Sequence, residues 1–229
     1  MPTGSPGPSG RSAIAEDAEG TGDPAAALDP LARLALAYAP PRARDGWLTL
    51  LALDARLAGV VRTAREPILA QLKLAWWRDR LAADPAGWPR GEPLLARLAG
   101  WRDPAGLVPL VDGWEALLGE PPLDKAAFAR FAEGRAAALA GLARHLGSAE
   151  HGIAGMAREW SLAQLALDPA HGAAGRLPGD GPLAPIDRAM RPLAVLAGVT
   201  LRAARRGDAA RLYSPGAWFA AVRLGLLGR

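Results

Sequence analysis

Pairs of a helix-capping residue and proline recur along this chain and divide it into segments with helical periodicity. Examples are Asp29-Pro30, Glu66-Pro67 and Ser214-Pro215. An Asp or Ser side chain suits the N-cap of a helix, and proline suits the first turn because its missing N–H would have no partner there. Between these pairs, large apolar residues recur at steps of three and four. This spacing indicates amphipathic helices rather than strands.

The composition supports the same fold class. Half of the residues are hydrophobic, so a chain of 229 residues can form a sizeable core. Ala, Leu and Arg favour helices and are abundant, whereas Val, Ile, Thr and Tyr favour strands and are scarce. The lack of Cys excludes a disulfide scaffold, a thiolate nucleophile and a cysteine zinc site. We therefore predict an all-α bundle of about eight helices.

Residues 1–28 are rich in Pro, Gly, Ser and Ala and are predicted to be a disordered tail, with residues 29–229 forming one helical domain. The apolar stripes place helices near residues 30–40, 45–65, 66–84, 93–101, 104–118, 124–146, 149–167, 185–206 and 215–227. In the third helix, the stripe predicts that Leu69, Leu72 and Trp76 face the core and that Arg78 lies outside. The loop at 168–184 has a length typical of functional or flexible segments.

The net charge of +4 is consistent with solvated helix faces, and also with attraction to anionic lipid or diphosphate. The first twenty residues contain no apolar run, so no secretory signal is expected, and no segment is long and apolar enough to cross a membrane. We expect a cytoplasmic protein, with peripheral contact to the inner membrane as an open alternative. Motifs for nucleotides, metals or a serine nucleophile are missing, and no nucleic-acid partner is expected.

Two features stand out within the apolar stripes. Trp76 and Trp77 are adjacent, so they point to different sides of one helix, either into the core or into the wall of a ligand cavity. Arg135 lies in the otherwise apolar stripe of residues 124–146. A buried charge needs a partner, for which Asp54, Glu159 or an anionic ligand are the candidates.

Several strings, in order along residues 31–229, resemble the squalene/phytoene synthase family. The most specific is Glu66–Asp79 (EPILAQLKLAWWRD), which is similar to the family's E-P-x-x-x-x-x-R-L-x-W-W-R helix. Gly91–Leu98 resembles its H-P-x-x-x-A-L segment, Phe131–Gly147 its Y-A-x-x-T/R helix ending in L-G, and Ala163–Leu165 its A-x-Q-L helix. The resemblance implies an isoprenoid-synthase-like helical fold.

The chain departs from the family where the catalytic members bind Mg²⁺. Lys73 and Glu92 stand where Arg and His are usual. Catalytic members hold Mg²⁺ with two Asp-rich motifs, because the diphosphate leaves only when its charge is neutralised. The first motif would fall at residues 58–62, which read AGVVR, with Asp54 one turn earlier. The second would follow Ala163–Leu165, where Asp168 stands alone.

The resemblance without these acids implies a non-catalytic member that needs no cofactor and acts as an accessory or assembly factor. The family includes an assembly factor of respiratory complex I, so a respiratory-complex protein is an expected partner, and an isoprenoid or lipid-like molecule is an expected ligand. The candidate cavity residues are Asp54, Ala58, Arg62, Trp76, Trp77, Arg135 and Gln164. One alternative is an active prenyl transferase of isoprenoid or carotenoid biosynthesis that uses Mg²⁺. Another is a helical protein-interaction module without a ligand.

Overall fold

A computed structural model describes residues 23–120, 122–169 and 184–228. These residues form helices and connecting turns, without a strand, and the all-α prediction is confirmed. The α-helices are, in chain order, α1 (Pro30–Ala37), α2 (Pro41–Arg62), α3 (Pro67–Ala82), α4 (Pro93–Leu98), α5 (Val108–Glu115), α6 (Lys125–His145), α7 (Ile153–Leu167), α8 (Arg191–Ala204) and α9 (Pro215–Leu227). Shorter 3-10 helices are present at Pro24–Ala27, Pro85–Gly87, Ala105–Leu107, Arg188–Met190 and Ala209–Tyr213.

Helix starts follow the capping pattern of the sequence. The side chains of Asp29, Asp124 and Ser214 each accept a hydrogen bond from the backbone N–H three residues later, at 2.8, 2.6 and 3.3 Å. Each bond satisfies one of the N–H groups that a helix start leaves without an intrahelical acceptor. The starts of α1, α6 and α9 could therefore be located from local sequence.

Four helix starts differ from the prediction. α5 begins at Val108 rather than near residue 104, and α8 begins at Arg191 rather than near residue 185, each directly after a 3-10 turn. α2 begins at Pro41 rather than near residue 45, because proline in the first turn begins a helix as readily as it ends the preceding one. α7 begins at Ile153 rather than at residue 149. Gly152, directly before it, has φ +76°, a left-handed conformation that breaks the helical path and that glycine adopts without strain.

The described residues begin before the predicted domain boundary. The Asp23 side chain caps the 3-10 helix Pro24–Ala27, and Leu28 is buried in the core. Residues 23–28, which the prediction assigns to the tail, therefore contribute to the helical domain, because the burial of Leu28 favours ordering of the turn before it. Residues 1–22 of the predicted tail and 170–183 of the predicted loop lie outside the described residues.

The buried face of α3 is not the one predicted. Its buried residues are Ala70, Leu74, Trp77 and Leu81, whereas Trp76 is half-buried. Leu69 and Leu72 are exposed. The true stripe has the same three-and-four spacing but begins with a small residue, so the bulkier leucines beside it indicated the wrong face.

Arg78 of α3 also differs from its expected outer position. It is half-buried, and its guanidinium donates hydrogen bonds to Asp112 at 2.7 Å and to Glu115, both at the end of α5. These two ion pairs raise the pKa of Arg78 against the effect of its burial, which acts to lower it. The contacts join α3 to α5 at the surface of the core.

The core is built around α6, which packs against α5 on one side and α7 on the other, with α8 against α7 and α9 against α8. The α5–α6 contact is backbone to backbone. A Cβ atom placed on Gly134 of α6 would lie 2.1 Å from the carbonyl oxygen of Pro109, and one on Gly113 of α5 would lie 3.1 Å from the Cα of Phe131. No helix within the described ranges is long and apolar enough to cross a bilayer.

Candidate functional site

Arg135 lies at the centre of the bundle with its charge enclosed. Only 3% of its side chain is exposed. Its Nη2 donates a hydrogen bond to Asp54 Oδ2 of α2 at 2.8 Å, and its Nη1 donates to Gln164 Oε1 of α7 at 2.6 Å. Of the partners expected for this arginine, the structure shows Asp54. The guanidinium therefore connects α6 to the next helix, α7, and to α2, which is 81 positions away in sequence.

Three aromatic rings surround the same guanidinium. Its Cζ atom lies 4.3 Å from the ring centroid of Trp160, 4.5 Å from that of Phe131 and 5.6 Å from that of Trp114. A cation over an aromatic face is attracted to the electron density of the ring, most strongly where water is excluded. Together with Asp54, Arg135 and Gln164, these three residues form what we call the Arg135 cluster.

Asp54 uses both carboxylate oxygens within the cluster. Oδ2 accepts the hydrogen bond from Arg135, and Oδ1 accepts one from the indole Nε1–H of Trp114 at 2.8 Å. The Asp54 side chain is 15% exposed. Both oxygens of this carboxylate are therefore used in hydrogen bonds that position the arginine and the indole.

Burial lowers the pKa of Arg135, and the negative charge of Asp54 acts in the opposite direction. An arginine guanidinium stays charged in proteins, so burial destabilises the cation without removing it. Its Nε–H has no hydrogen-bond acceptor among the described residues. The Asp54 carboxylate, the carbonyl oxygen of Gln164 and the three rings are the described groups that stabilise this charge.

The free space beside the cluster is small. A cavity of about 10 Å³ lies between α2, α5, α6 and α7, lined by apolar side chains together with Asp54 and Arg135. That volume corresponds to about one water molecule. Ligand pockets for small molecules usually enclose several hundred Å³. In this conformation the space beside the cluster is too small for an isoprenoid chain.

The other candidate residues lie elsewhere. Ala58 is buried one turn after Asp54 on α2, and Arg62 is exposed at the end of that helix. The rings of Trp76 and Trp77 on α3 contact each other edge to face, with centroids 5.1 Å apart. None of these four side chains lines the cavity, whereas Asp54, Arg135 and Gln164 come together directly.

Two acidic residues, Asp54 and Asp168, lie near the positions where the resemblance places the Mg²⁺-binding motifs. Asp168 follows the last residue of α7. A polynuclear Mg²⁺ site needs several carboxylate ligands, and both oxygens of Asp54 are already hydrogen-bonded, to Arg135 and Trp114. Among residues 23–120, 122–169 and 184–228, no group of three or more His, Asp or Glu side chains converges.

The aromatic part of the cluster was not predicted. No functional role was predicted for the side chains of Trp114, Phe131 and Trp160, which lie within predicted helices of the sequence. The available signal was spacing along single helices, since Phe131 precedes Arg135 by four residues and Trp160 precedes Gln164 by four. Trp114 comes from a third helix, and its approach to Asp54 is visible only in three dimensions.

The fold and the cluster define a helical-bundle protein whose core encloses an ion pair surrounded by aromatic rings. No family model, no curated protein and no solved structure matches the chain. The resemblance to squalene/phytoene synthases rests on the motifs quoted from the sequence.

Proposed function

We propose that this chain is a non-catalytic protein of the squalene/phytoene synthase type that acts as an accessory or assembly factor. The observation that carries the proposal is the engagement of Asp54. It lies on α2 one helical turn before residues 58–62, where the resemblance places the first acidic motif. Both of its oxygens are bonded to side chains of the core.

The hydrogen bonding of Asp54 bears on catalysis because the enzymes of the family need carboxylates to bind metal ions. Ionisation of an isoprenyl diphosphate leaves several negative charges on the departing group, and metal ions neutralise them. A methyl side chain at Ala58 and a cation at Arg62 cannot ligate Mg²⁺. Freeing Asp54 for a metal would leave Arg135 buried without its counter-charge, which is strongly unfavourable.

The proposal is tested by incubating the purified protein with labelled farnesyl or geranylgeranyl diphosphate and Mg²⁺. We expect diphosphate release no faster than in the blank. Release above the blank that Asp54→Asn abolishes and Asp45→Asn leaves unchanged would establish an active prenyl transferase instead. Asp45 is a suitable control because it lies on the same helix and pairs with Arg97 at the surface.

The expected ligand is an isoprenoid or another lipid-like molecule. The cavity of about 10 Å³ means that such a chain enters only if the apolar side chains between α2 and α6 move apart. Native mass spectrometry of the protein as purified tests this part of the proposal. A co-purifying isoprenoid or lipid supports it, and a bare mass at every concentration of added isoprenoid contradicts it.

A second candidate function is a helical protein-interaction module without a ligand, and the closed cavity favours it. Its surface would include Ile68, Leu69 and Leu72, which are exposed together at the start of α3. A respiratory-complex protein is the proposed partner. Loss of co-purification of that partner in Leu72→Asp, with unchanged unfolding, supports the module, whereas retention contradicts it.

The proposed location is the cytoplasm, at the surface of the inner membrane. Cell fractionation with a salt wash tests it. A peripheral protein is expected to sediment with membranes at low salt and to move to the supernatant at high salt, because screening weakens contacts with anionic headgroups.

A further inference from the structure

Apart from the buried Leu224, helix α9 buries small residues and exposes its large apolar ones. Its buried residues are Ala217, Ala221, Leu224 and Gly225. Its exposed large residues are Trp218, Phe219, Val222, Leu226 and Leu227, with Phe219 78% exposed. A surface helix of a globular domain normally has the opposite arrangement, with its apolar stripe facing the core. A partner surface bound over the outer face of α9 would remove these apolar side chains from water.

The inner face of α9 is firmly seated. Tyr38 of α1 packs directly on Gly225, where an added Cβ atom would lie 2.2 Å from the ring. Arg191 of α8 donates a hydrogen bond to the Gly225 carbonyl at 3.3 Å. The small residues let α9 approach the bundle closely, so the large residues opposite them cannot turn inward without breaking these contacts.

Positive charge is concentrated around the same helix. Residues 201–229 contain six of the 27 basic residues of the chain and one of the 23 acidic residues, which gives this segment a net charge of +5 and the remaining residues −1. Arg223 is exposed on α9 itself. The Arg202 guanidinium of α8 lies 3.5 Å from the position of a Cβ atom on Gly216, over the first turn of α9.

We propose that the outer face of α9 docks on an anionic lipid surface. Trp218, Phe219, Val222 and Leu226 enter the boundary between headgroups and acyl chains, and Arg202 and Arg223 contact lipid phosphates. An apolar helix face bordered by arginines and carrying Trp and Phe has the chemistry of an interfacial helix. A second copy of this chain is a poorer occupant, because it would bring two +5 segments together.

The test is flotation of the full-length protein with vesicles of phosphatidylcholine alone or with 30% phosphatidylserine. We expect binding to the anionic vesicles and little binding to the neutral ones. Removing one arginine contact weakens partitioning by about fivefold at low ionic strength, so Arg223→Glu should weaken it by at least that factor. Phe219→Asp should weaken it by at least about tenfold, because it places a charge in the apolar boundary.

Ala129→Asp is the control, because Ala129 is an exposed residue of α6. It adds the same charge on a different surface, and circular dichroism checks that both variants stay helical. Equal loss of binding in Ala129→Asp and Phe219→Asp would overturn the assignment to α9. So would equal binding to neutral and anionic vesicles, no binding by the unmodified protein, or a dimer that Phe219→Asp dissociates. None of these results bears on whether the chain is catalytic.

Discussion

Replacing one member of the buried ion pair should cost more stability than replacing both. In Arg135→Met, Asp54 keeps its hydrogen bond from Trp114 but loses its counter-charge in a site where it is 15% exposed. Breaking a buried pair from one side costs about 3–5 kcal/mol. Because Asp54 retains some solvent contact, we expect the lower end, about 3 kcal/mol.

Replacing Asp54 should lower the free energy of unfolding more than replacing Arg135. Asp54→Leu leaves the guanidinium enclosed with Gln164 and the three rings, and the Trp114 indole N–H also loses its acceptor. We add about 1 kcal/mol for that orphaned donor, which gives about 4 kcal/mol. The double variant Asp54→Leu/Arg135→Met buries no charge and keeps only the unsatisfied polar groups of Trp114 and Gln164. We expect it to cost about 2 kcal/mol.

Urea unfolding at pH 7 measures these values, provided that the dependence on denaturant has the same slope in every variant. Arg158→Met is the control, since Arg158 and Glu133 form a surface pair with both side chains largely exposed. It should cost about 1 kcal/mol or less. If Arg135→Met lowers the free energy of unfolding no more than Arg158→Met does, the inference that Arg135 is a buried, paired charge is refuted. A double variant that equals the sum of the two single variants would refute the coupling.

Two further predictions concern packing and pH. Gly134→Ala should destabilise by more than about 3 kcal/mol in thermal and urea unfolding, because the new methyl group would overlap the Pro109 carbonyl. Gly59→Ala should be neutral or stabilising, because no atom beyond its own stretch of helix backbone lies within 4 Å of the new Cβ. Similar effects of the two changes would contradict the close α5–α6 contact. Burial and the nearby Arg102 lower the pKa of His145 below its ordinary 6.5, and Asp45 acts in the opposite direction. The unfolded chain therefore binds a proton at higher pH than the folded chain. Because of this difference, the free energy of unfolding should fall as the pH drops below about 6.5. Urea unfolding between pH 8 and 5 should show a shallower pH dependence for His145→Gln, and an unchanged slope would exclude His145 as its source.

Local sequence was sufficient for the fold class and for several helix starts. The caps at Asp29, Asp124 and Ser214 depend on hydrogen bonds within three residues, so no long-range information is needed to place them. The apolar stripe of α6 was equally readable, because it is long and contains aromatic residues at core positions.

The face of α3 could not be inferred in this way. Burial of Ala70 and exposure of Leu69 depend on where α5 lies, and side-chain size alone gave the opposite answer.

The composition of the Arg135 cluster also could not be inferred from local sequence. An arginine in an apolar stripe indicates a buried partner, but Asp54 and Glu159 were equal candidates until the helices were placed. The three rings around the guanidinium come from three different helices.

The distribution of the Arg135 cluster along the chain has a consequence for folding kinetics. Asp54 and Arg135 are separated by 81 positions, and Arg135 and Gln164 by 29. Contacts between such distant positions form only after the intervening loops have closed, so they are expected to be weak in the folding transition state. Changes to Asp54 should therefore accelerate unfolding much more than they slow refolding. The ion pair therefore mainly sets the unfolding rate of the bundle, and so its kinetic stability, and has little influence on the folding rate.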